Sequence, residues 1–103
     1  MLFEGKMFVG LANRVVKRMP TAPPEAANLC ATFVAGANYP KGARKAIPDF
    51  WSLPPIIPQQ EVWAATEAFV DRGEGSINDL FVKIWGIGVE DFLAKFMEAQ
   101  QGD

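Results

Sequence analysis

Apolar residues return every four positions through Phe3, Met7, Leu11, Val15 and Met19, with Phe8, Ala12 and Val16 beside them, which is the period of one buried helical face. The spacing predicts a helix over 2–18. Lys17 and Arg18 suit the negative end of its dipole, and Pro20 stops it. Pro23 and Pro24 restart the chain and open a second helix running to about Ala37, with Glu25 against its positive end. Its polar stripe is only Glu25, Asn28 and Thr32, so this helix is expected at the centre of the molecule. A third helical stripe follows Pro58, through Val62, Ala65, Phe69 and Val70, and ends at Arg72 and Gly73. Ser76 and Asp79 have the spacing of a capping box, and Ile77, Leu80, Phe81, Ile84 and Trp85 then form one inward face up to Gly86. The last helix is expected after Gly88, with Glu90 and Asp91 in its first turn, and Val89, Phe92, Leu93, Phe96 and Met97 buried before Gly102. The pattern predicts an all-α fold, a small bundle of four to five short helices in a single domain over 1–103, with Trp63 and Trp85 in its core.

Between the second and third helices the periodicity is lost. Residues 47–58 hold Pro48, Pro54, Pro55 and Pro58, each of which fixes its own φ and biases the residue before it towards extended backbone. A stiff, polyproline-like strap is expected there. Phe50, Trp51, Leu53, Ile56 and Ile57 would together make an exposed apolar patch in water, so they must cover the chain's own helices or a partner's surface. Aromatic residues dominate interface hot spots, which makes Phe50 and Trp51 the leading candidates for partner anchors.

Charge divides the chain at this strap. Residues 1–48 carry seven Lys and Arg against Glu4 and Glu25, and residues 49–103 carry three against ten Asp and Glu, so a net charge of −2 hides halves of +5 and −7. The basic helices of 1–46 and the acidic three-helix part of 59–103 are expected to dock on each other or to meet opposite charge on another subunit. A chain of 103 residues that is 50% hydrophobic and 21% charged can bury a core, and no apolar run of 18 residues predicts a membrane span. The single Cys30 implies no disulfide, and the run from Met7 to Asn13 is short for a signal-peptide core, so the expected location is the cytoplasm or a virus particle.

Catalytic chemistry has little to draw on. The absence of histidine removes imidazole bases, Ser-His and Cys-His pairs and His metal ligands. Cys30 falls on an apolar helix with no cation beside it, which marks a small core residue rather than a nucleophile. Glu67, Asp71, Glu74 and Asp79 cluster without EF-hand spacing, as a solvated acidic face does. No catalytic residue, metal site or cofactor is expected. In the loop before the strap, Lys41, Arg44 and Lys45 follow Gly36, Asn38 and Pro40, and such cations can meet a phosphate or pair with the acidic half.

The segment Lys83-Ile84-Trp85-Gly86-Ile87-Gly88-Val89, a Gly-hydrophobic-Gly turn between amphipathic helices, resembles the helix-hairpin-helix motif of DNA-binding proteins over residues 76–99. The resemblance implies that Gly86, Ile87 and Gly88 hold a DNA phosphate on backbone amides at a helix N-terminus. This chain departs from the motif at Phe92, where the family has a small residue, and at Glu90 and Asp91, where negative charge would repel the phosphate. The expectation is therefore a non-enzymatic structural or adaptor subunit acting through protein contacts, hetero- or homo-oligomeric. Nucleic-acid binding through the hairpin and a small regulator that docks on an enzyme are the alternatives.

Overall fold

The computed structural model describes residues 5–38 and 54–101, with side chains over 9–38 and 54–96. Five helices follow in order among these: α1 (Gly5–Lys17), α2 (Pro24–Ala37), α3 (Gln59–Asp71), α4 (Ile77–Trp85) and α5 (Val89–Gln101). The all-α bundle expected from the pattern is the fold. Phe3, Lys41, Arg44, Lys45, Phe50, Trp51, Leu53 and Gly102 lie outside the described residues.

The helices begin and end for local reasons. Past α1 the chain tightens through Arg18 N–H to Val15 O at 2.9 Å and Met19 N–H to Val16 O at 2.8 Å before Pro20 prevents continuation. Pro23 in extended conformation precedes α2, and Pro24 gives up an amide that would have no helical partner. At the other end of α2, Gln59 Nε2 donates to Ala37 O at 3.3 Å, so α3 satisfies a terminal carbonyl of α2. The capping box of α4 is complete: Asp79 N–H donates to Ser76 Oγ and Ser76 N–H to Asp79 Oδ2, both at 3.1 Å. Gly86 closes α4 in the left-handed region at φ 77°, with its amide donating to Val82 O at 2.8 Å.

The core joins all five helices. Val15 of α1 and Met19 just past its end, Val62 and Phe69 of α3, and Leu80, Phe81, Ile84 and Trp85 of α4 surround α2, whose Ala27, Cys30, Ala31, Phe33, Val34 and Ala37 are all buried. From α5, Phe92 inserts its ring 4.9 Å from Phe33 and 4.8 Å from Phe81, centroid to centroid. Each such pair contributes about 0.5–1.5 kcal/mol beyond the area it buries. Trp85 is in this core as the pattern predicts, but Trp63 is not: it is 43% exposed. The inward face of α3 is Val62, Thr66 and Phe69, and Trp63 stands about 100° round the helix from Val62.

Thr66 is a fully buried polar residue, and its surroundings explain how it is tolerated. Its hydroxyl donates to Val62 O at 2.8 Å and accepts from Asn38 Nδ2 at 3.0 Å, while the same amide nitrogen donates to Val34 O at 2.9 Å. This short network pins the end of α2 to the middle of α3.

The basic and acidic halves do dock on each other. Arg14 pairs with Asp71, and Arg18 donates from Nε to Phe69 O at 2.8 Å and from Nη2 to Gly75 O at 2.9 Å. The Arg18 guanidinium also lies over the Phe69 ring, 4.4 Å from its centroid.

Candidate functional site

Of the strap, Pro54 to Pro58 are described. The Ile56 amide donates to Ile84 O at 2.8 Å, which ties this segment to α4. Its side chain extends over Gly86, where an added Cβ would lie 3.2 Å from Ile56 Cδ1, and remains 66% exposed. Ile57, one residue on, is partly buried against the chain's own core. Two of the five expected partner-binding residues are thus placed, and they do different work: Ile56 is presented outward and Ile57 anchors. Val82, one turn before Gly86, is 48% exposed.

The Gly86–Gly88 hairpin forms the expected corner, and the amides on either side of Ile87-Gly88 are satisfied within the chain. Gly86 N–H is spent on Val82 O, and the first amide of α5, from Val89, donates to Asn78 Oδ1 at 3.0 Å. A Cβ at residue 88 would sit 2.5 Å from that same Asn78 oxygen, which is why glycine stands there. Asn78 therefore occupies the position of an N-cap for α5, although it belongs to α4. Ile87 packs partly buried on the core, and Glu90 and Asp91 are exposed at the mouth of the helix. An incoming phosphate would have to displace a neutral acceptor and approach two carboxylates.

Cys30 is fully buried, and loss of hydration pushes its thiol up from an ordinary 9.0 to about 11, so no thiolate is held ready for chemistry. Three of the four clustered carboxylates are separately engaged: Asp71 with Arg14, Glu74 with Arg72 at 3.1 Å, and Asp79 in the capping box. Among the described residues, no group of three His, Cys, Asp or Glu could hold a metal ion. None of the described helices is long and apolar enough to cross a membrane.

One concavity lies between α3 and α4, an open groove of about 370 Å³. It is lined by Ala64, Ala65, Ala68 and Phe69 of α3 and by Leu80 of α4. Glu61, Glu74, Asp79 and Lys83 stand at its edge. The sequence signal for it was present as a run of small residues beside the Val62, Thr66, Phe69 stripe. Comparison of the chain with protein families, with curated proteins and with solved structures finds no match in any of the three.

Proposed function

We propose that the chain is a non-enzymatic structural or adaptor subunit of a larger cellular or viral assembly and works through protein–protein contacts. The observation that carries this reading is Ile56: its backbone is fixed to α4 by a hydrogen bond, yet its side chain is 66% exposed. A large apolar side chain held rigidly in water loses little entropy when a partner covers it. Exposed Trp63 and Val82 add apolar surface, and Phe50, Trp51 and Leu53 directly precede the fixed segment in sequence. The nucleic-acid alternative has less support, because the hairpin amide at the start of α5 is already taken by Asn78. Regulation of an enzyme requires the same contact chemistry, and the identity of the captured protein distinguishes it.

The test is one double variant, Phe50→Ala with Trp51→Ala. Proteins retained by the tagged chain are identified by mass spectrometry, and affinity for the retained partner is then measured beside urea midpoints of the isolated chain. The expected loss of association is several kcal/mol, at about 2 kcal/mol or more per buried aromatic anchor, with a much smaller loss of stability. Unchanged affinity with a stability loss of about 3 kcal/mol or more would make the two rings an internal cover and overturn the reading.

A further inference from the structure

We draw no further inference here: the strongest candidate, the open groove between α3 and α4, carries charges of both signs around its edge, and nothing in the structure shows what covers it.

Discussion

The α1–α2 pair and the α3–α5 unit are packed by different means. Where α2 is buried it presents mostly small side chains, Ala27, Cys30, Ala31, Val34, Ala35 and Ala37, so its contacts depend on close approach of backbones. The C-terminal unit is filled by rings, with Phe81, Trp85 and Phe92 within 4.6–6.2 Å of one another, centroid to centroid. Phe33 is the single large ring of α2, and it lies against Trp85, Phe92 and Phe96 of the other unit. The difference teaches that the two regions fail in opposite ways. A small-residue contact is damaged by added volume, and an aromatic cluster by removed volume.

Phe33 should give the largest effect, because it belongs to both regions. Phe33→Ala is expected to lower the unfolding free energy by about 3–5 kcal/mol in urea titrations. A loss below about 1 kcal/mol would mean that the aromatic cluster closes without α2 and that the two units are independent. The next effect is a pH slope confined to the small-residue side. Below pH 9 the Cys30 thiol is protonated in both states, so it adds no pH dependence. Between about 9 and about 11 the unfolded chain releases the proton while the folded chain retains it, so stability falls as pH rises through that window and is level above it. Comparison of wild type with Cys30→Ala isolates this slope from other groups titrating there, and a difference on the order of 2–3 kcal/mol is expected across the window. Identical slopes would show that the thiol is hydrated in the folded state. The smallest effect tests the corner inside the aromatic unit: Asn78→Ala should cost about 1 kcal/mol, as loss of an N-cap does, and should speed amide exchange at Val89 first. Unaltered exchange at Val89 would show that the side chain does not cap α5.

The helices were legible because their signals are local. Leu11, Val15 and Met19 share the buried face that their spacing predicts, and the Ser76 and Asp79 capping box forms as written. Trp63 was misplaced because a tryptophan next to a stripe resembles a member of it, and only the packing of α3 shows that Val62 takes the inward position. Arg18 was assigned to the helix dipole, but its partners are Phe69 and Gly75, 51 and 57 residues away, and no periodicity reports such distances. The cap that Asn78 gives to the following helix was missed for a related reason, since a cap is sought just before the helix it serves. The groove was half legible, in that Ala64, Ala65 and Ala68 are small, but a run of alanines makes a groove only where a second helix runs beside it.

In polymer terms, the Arg18 clamp closes a loop of about fifty residues without restricting the unfolded chain. A disulfide across the same separation would remove part of the denatured ensemble's freedom in advance, whereas a hydrogen-bonded guanidinium exists only once its carbonyls are in place. The whole entropy of closing that loop therefore falls on the folding step itself. The α4–α5 corner, whose cap spans eleven residues from Asn78 to Val89, carries almost no such cost.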